Sequence, residues 1–98
     1  MTFQKDAEKN ETKILHRLVD FSGQRVLEVG CGEGRLTWNY ASAARQVIGI
    51  DPDPNAVRVA NYDMPFELRK TTAFACASSL HLPFLHETFD IALLSWSL

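Results

Sequence analysis

The chain has 98 residues, 46% hydrophobic and 22% charged, which excludes a disordered tail and leaves room for one small domain. Its formal charge is −2 with an isoelectric point near 5.8 and no cluster of Lys and Arg, which argues against nucleic acid as a partner. Cys31 and Cys76 form no CxxC pair, the start MTFQKDAEKNETK is polar, and no run approaches ~18 apolar residues; the expectation is a cytoplasmic protein without disulfides, zinc, signal peptide or membrane span.

In chain order, Ile14, Leu15, Leu18 and Val19 recur at helical spacing within a polar segment and predict an amphipathic helix over residues 7–20. Ser22-Gly23 ends it, and residues 25–29 form a first short strand that closes in Gly30. Residues 34–44 predict a second helix starting in the glycine-rich turn. Within it Trp38 and Tyr40, two apart, face different ways and suit one core and one rim contact. Residues 46–50 are the second strand. Asp51-Pro52-Asp53-Pro54 then turns the chain, with Asp53 as N-cap and Pro54 as first residue of a helix over 55–62. Residues 71–76 give a weaker third strand and 78–84 a loop broken by Pro83. Residues 89–96, FDIALLSW, form a fourth strand apolar enough to be buried on both faces. Strands alternating with helices make an α/β domain with a mostly parallel sheet.

Gly30, Gly32 and Gly34 supply the places where a tight strand-to-helix turn needs positive φ or close approach of a ligand. The spacing is GxGxG, and Arg35 stands where a dinucleotide fingerprint has its third glycine, which disfavours NAD. A plain βα turn is the competing explanation. Asp51, at the end of the second strand, is placed to accept hydrogen bonds from both ribose hydroxyls of an adenosine-type ligand, or else merely opens the turn before Pro52.

The run Glu28-Val29-Gly30-Cys31-Gly32-Glu33-Gly34, then VIGIDPDP, LPF and FDIALLSWSL, resembles the class I S-adenosylmethionine-dependent methyltransferases over residues 24–98. It is similar in particular to the small-molecule branch that includes the ubiquinone and menaquinone biosynthesis enzymes. The resemblance implies a Rossmann-like core over 24–98 behind an N-terminal helix within 1–21, with four strands in the order 3-2-1-4 out of the family's seven. It implies that S-adenosylmethionine is the cofactor and that Glu28 and the backbone of Gly30, Cys31 and Gly32 hold its methionine end. Asp51 would take the ribose hydroxyls and Pro52 would pack near adenine. Ser78 and Ser79 occupy the places of the family's Asp-Ala pair at the adenine, so a hydroxyl replaces a carboxylate there and binding is expected to be weaker. Ser95 and Trp96 would lie beside the sulfonium and the acceptor, at the carboxyl end of a strand where open α/β sheets bind ligands. Relatives that methylate amino groups of adenine or glutamine carry an Asn-Pro-Pro-aromatic motif where this chain has Leu94-Ser95-Trp96-Ser97, so the resemblance does not imply that chemistry.

His16, His81 and His86 show no ligand or acid-base spacing, and Ser95 and Ser97 lack a GxSxG elbow. No catalytic base is assigned. The expectation is a methyltransferase cofactor-binding portion, with a catalytically incomplete binding or regulatory module as the alternative. A chain ending at the fourth strand would leave 89–96 as an apolar edge open to self-association or a partner chain.

Overall fold

The structure is a computed structural model that describes residues 19–78 and 88–95. Four strands, β1 (Arg25–Val29), β2 (Gln46–Asp51), β3 (Thr72–Cys76) and β4 (Ile91–Leu94), form one parallel sheet in the order β3-β2-β1-β4, as expected. The two central strands carry the apolar, β-branched runs VLEV and VIGI, and parallel strands covered on both faces need that composition.

Side chains alternate across the sheet and divide the core in two. On one face Val26 and Val47 pack with Phe21, Tyr40, Ala41, Ala44 and Leu68. On the other, Leu27, Val29 and Ile50 pack with Ala77 and Phe89. Helix α1 (Pro54–Asp63) begins as the DPDP sequence requires: Asp53 accepts a hydrogen bond from Asn55 N at 2.9 Å, and Pro54 occupies the first turn, where its missing N–H costs nothing. The helix buries Val57 and Ala60 against Phe74 and Cys31.

Two expectations change and one element is new. Residues 34–44 are not an α-helix but a chain of turns around a 3-10 turn at Thr37–Asn39. The local sequence explains this: Thr37, Trp38, Asn39 and Tyr40 are all weak helix formers, and two of their side chains are engaged elsewhere. The fourth strand is shorter than 89–96 and is not buried on both faces; Ile91 and Leu93 are half-buried, whereas Ala92 and Leu94 are exposed, Leu94 at 65%. It is an edge strand, which accounts for the difference. A 3-10 turn at Phe66–Leu68, not foreseen from sequence, seats Leu68 in the core. The expected helix over 7–20 lies outside the described residues except for Val19 and Asp20, which are not helical; the 78–84 loop lies outside them except for Ser78.

The lower ends of β1 and β4 are joined by Arg25 and Asp90. The guanidinium donates to both Asp90 carboxylate oxygens at 3.2 Å, Arg25 N donates to one of them at 2.8 Å, and Asp90 N returns a bond to the Arg25 carbonyl at 2.8 Å. Those bonds from Arg25 hold the Asp90 carboxyl below its ordinary range. The contact fixes the β1–β4 register, in which Glu28 stands opposite Leu93.

Gly49 in β2 lies under the Phe74 ring. A Cβ there would come within 2.6 Å of a ring carbon and 3.1 Å of the Cys31 Cβ. Gly49→Ala should therefore destabilise the protein by about 1–3 kcal/mol, although alanine is otherwise the better strand residue. Urea denaturation of Gly49→Ala, Phe74→Leu and the double variant checks this: the expected double is less destabilised than the sum, and strict additivity contradicts the ring contact.

Candidate functional site

The carboxyl ends of β1, β2 and β4 carry the residues that the sequence marks. Gly30, Gly32 and Gly34 all have positive φ, 81°, 55° and 89°, so the turn after β1 follows a path that glycine adopts readily. A side chain at Gly34 would also strike the Trp38 indole at 2.7 Å, whereas one at Gly32 would meet nothing within 4 Å. The Gly32 side of the turn is open, and a ligand can approach its backbone.

Four amides of this turn are already in use. Gly30 N and Cys31 N both donate to the Ile50 carbonyl, at 2.9 and 3.1 Å, and Gly34 N donates to the Cys31 carbonyl at 3.0 Å. Gly32 N donates to Asp51 Oδ2 at 2.9 Å. With four amides turned inward and no α-helix following, the turn is not a phosphate cradle of the dinucleotide-binding type.

Behind the turn lies Glu28, with 0% exposure. Thr37 Oγ1 donates to its Oε1 at 2.8 Å, Tyr40 OH donates to the same oxygen, and Ser95 Oγ donates to Oε2. Ser95 also lies 3.3 Å from the Gly30 carbonyl oxygen, and its amide donates to the Val29 carbonyl at 2.9 Å. A buried carboxylate needs such donors, since leaving it unsatisfied would cost several kcal/mol by a rough count. Burial raises the Glu28 carboxyl above its ordinary value of 4.5, against the opposite pull of Ser95, Tyr40 and Thr37. Burial, then the charges of Glu28 and Asp51, push the Cys31 thiol up to about 12, so it is an inert thiol at neutral pH. Burial and Glu28 likewise raise the Tyr40 phenol, which remains a donor.

Asp51, half-buried, ends β2; its Oδ1 accepts from Asp53 N at 2.9 Å while Oδ2 holds Gly32. Pro52 is exposed beside it, and its carbonyl accepts from the Cys76 thiol at 3.4 Å. Ala77 N donates to the Asp51 carbonyl at 3.1 Å, which brings half-buried Ser78 to the same edge of the sheet. Of the residues marked from sequence, Glu28, Gly30, Cys31, Gly32, Asp51 and Ser95 thus form one connected cluster, with Pro52 and Ser78 at its rim. Ser79 and Trp96 lie outside the described residues. Thr37 and Tyr40 were not marked as polar partners; their three-residue spacing after the glycines is the only sequence sign of a shared direction. Among the described residues no group of His, Cys, Asp and Glu could hold a metal ion, and no helix is long and apolar enough to cross a membrane.

Residues 26–98 match a family described as a methyltransferase domain. An uncharacterized methyltransferase of Mycobacterium leprae is 37% identical over 73 residues, 74% of this chain and 26% of the relative. The demethylmenaquinone methyltransferase of Lactococcus lactis is 27% identical over 89 residues, 88% of this chain and 35% of the relative. The chain therefore spans about a quarter to a third of the length of these relatives. Among solved structures, phosphoethanolamine N-methyltransferase 1 of Haemonchus contortus, in complex with phosphoethanolamine and S-adenosylhomocysteine, superposes with a TM-score of 0.74 at 23% identity. The match covers 95% of this chain and 20% of that one, and it shows a shared fold.

The position of Glu28 gives a pH signature. Unfolded, its carboxyl titrates near 4.5; folded, it holds its proton to higher pH. The stability it contributes is complete below the unfolded value and is lost as pH rises through the folded one. The urea midpoint of the wild type relative to Glu28→Gln should fall as pH rises from about 4 and then level off. A difference that stays constant, or grows with pH, contradicts a titration dominated by burial.

Proposed function

Because the chain belongs to the methyltransferase domain family, we propose that it forms the S-adenosylmethionine-binding part of a methyltransferase acting on a small-molecule acceptor. The observation that carries this reading is the polarity of the glycine turn. The amides of Gly30, Cys31, Gly32 and Gly34 face Ile50, Asp51 and Cys31, while Ser95 Oγ and the Asp51 carboxylate stand at the half-buried rim of the site as acceptors. Such a site suits a ligand rich in donors and free of phosphate. S-adenosylmethionine has an ammonium and a carboxylate at one end, two ribose hydroxyls in the middle and no phosphate.

Asp51 has one backbone donor on each oxygen, so each keeps lone-pair capacity for a ribose hydroxyl. The open space at Gly32 admits the chain between the ribose and the amino-acid end. Pro52, Ser78 and, in the sequence, Ser79 would border adenine, with a hydroxyl in place of the carboxylate usual in the family. The bound cofactor supplies an activated methyl group. The residues of this chain supply binding and orientation, which is most of what transfer between a sulfonium and an aligned nucleophile requires. A small-molecule acceptor is supported by the relatives, whose names include demethylmenaquinone and phosphoethanolamine methyltransferases.

Isothermal titration calorimetry with S-adenosylmethionine tests this. The wild type should bind, and Asp51→Asn should bind about tenfold or more weakly through loss of charge-assisted bonds to the ribose. No binding by a folded wild type, or equal binding by the variant, overturns the assignment.

A further inference from the structure

We propose that the amino end of the sheet is a docking surface for an anionic membrane, with the Phe66 ring entering the acyl boundary and Arg45, Arg69 and Lys70 meeting the lipid headgroups. The inference does not depend on the cofactor reading. It begins with charges that the sequence keeps apart and the parallel sheet brings together. Arg25 opens β1, Arg45 stands just before β2, and Arg69 and Lys70 stand just before β3. Parallel strands all start at one edge, so four of the six Lys and Arg among the described residues gather there.

The register fixes their spacing. Val47 stands beside Thr72 in the β2–β3 pair and its N–H donates to the Thr71 carbonyl at 2.8 Å, which places Arg45 and Lys70 at neighbouring strand starts. Arg45 N donates to the Gln24 carbonyl at 2.8 Å, which ties it to the start of β1. Arg25 is neutralised by Asp90, and Arg45 lies close enough to favour the ionised form of that same carboxylate. Arg69 and Lys70 are exposed and have no ion pair among the described residues, so the edge keeps a positive surplus.

Charge alone would suit any polyanion, and Phe66 narrows the choice. The ring is 84% exposed on the 3-10 turn Phe66–Leu68, whose Leu68 is seated in the core, so the turn that presents it is anchored. Side chains three apart in a 3-10 turn eclipse. Arg69 continues the turn in helical conformation, with its N–H on the Phe66 carbonyl at 3.2 Å, so the ring and this guanidinium leave on the same side. Glu67, next to the ring in sequence, leaves about a third of a turn away. An exposed apolar ring beside cations suits the boundary between headgroups and acyl chains. Single-stranded nucleic acid stacks its bases on aromatics that line a basic groove, whereas Phe66 protrudes. Strands of five and six residues separate this edge from Asp51 and the glycine turn by about 16–20 Å, so the docked chain keeps its ligand site facing water.

Co-sedimentation with vesicles of phosphatidylcholine, with and without a third of phosphatidylglycerol, tests this at about 0.1 M salt. The wild type should bind the anionic vesicles about tenfold or more tightly than the neutral ones. The double variant Arg69→Gln/Lys70→Gln should lose about twentyfold, near fivefold per charge, and Phe66→Ser about fivefold or more. Arg58→Gln removes a cation whose guanidinium turns to Asn55 at the start of α1, away from this edge, and should stay within about twofold. All four positions are exposed, so the variants should fold, which their thermal melts check. No preference for anionic vesicles, unchanged affinity in Phe66→Ser, or an equal loss in Arg58→Gln overturns the proposal. Tighter binding to a single-stranded oligonucleotide than to the vesicles overturns it as well and makes the surface a nucleic-acid site.

Discussion

A carboxylate with no access to water sits between the central strand and the turn that follows it, and the arrangement of the site depends on how it is satisfied. Glu28 draws hydroxyls from the turn, Thr37 and Tyr40, and from the far end of the chain, Ser95. Apolar packing alone would close this space without fixing directions. Hydrogen bonds to an anion are directional and strong, so they hold the turn, β1 and the end of β4 in one mutual arrangement. The cost of burying the charge shows in the raised carboxyl, and the three donors offset it only in part.

The same constraint decides what kind of ligand the turn can meet. With Tyr40 wholly buried, stacked on Phe21 at 4.5 Å and committed to Glu28, residues 34–44 are drawn onto the sheet as a series of turns. Among the described residues no α-helix follows the turn directly, and four of its amides fold back on Ile50, Asp51 and Cys31. The Asp51 carboxylate and Ser95 Oγ stand at the half-buried rim, where the donors of a ligand can meet them.

Much of the sheet was legible in the sequence because its signals are local. VLEV, VIGI and TTAFAC read as strands from their apolar, β-branched runs, and DPDP announces the start of α1 through the chemistry of its cap and proline. Asp51 was open to two readings, a turn former or a ligand group. Its Oδ1 does form the turn to Asp53, and its Oδ2 organises the glycine loop. What could not be read depends on contacts between distant residues. Ser95 and Glu28 are 67 positions apart, and nothing in either local sequence announces their hydrogen bond. The helix expected at 34–44 failed for a related reason: its leucine and alanines favour a helix, but the hydroxyls of Thr37 and Tyr40 answer to a buried acid that local propensity does not register. The partial exposure of β4 reflects its place at the sheet edge, and composition cannot supply that position.

The most direct test is a crystal structure of the chain with S-adenosylhomocysteine at a resolution that places individual hydrogen-bonding atoms. The ribose hydroxyls should lie within hydrogen-bond reach of the Asp51 carboxylate, with the amino-acid end of the ligand toward Ser95 Oγ. A ligand whose ribose makes no contact with Asp51, or that lies away from the carboxyl ends of the strands, would contradict the account.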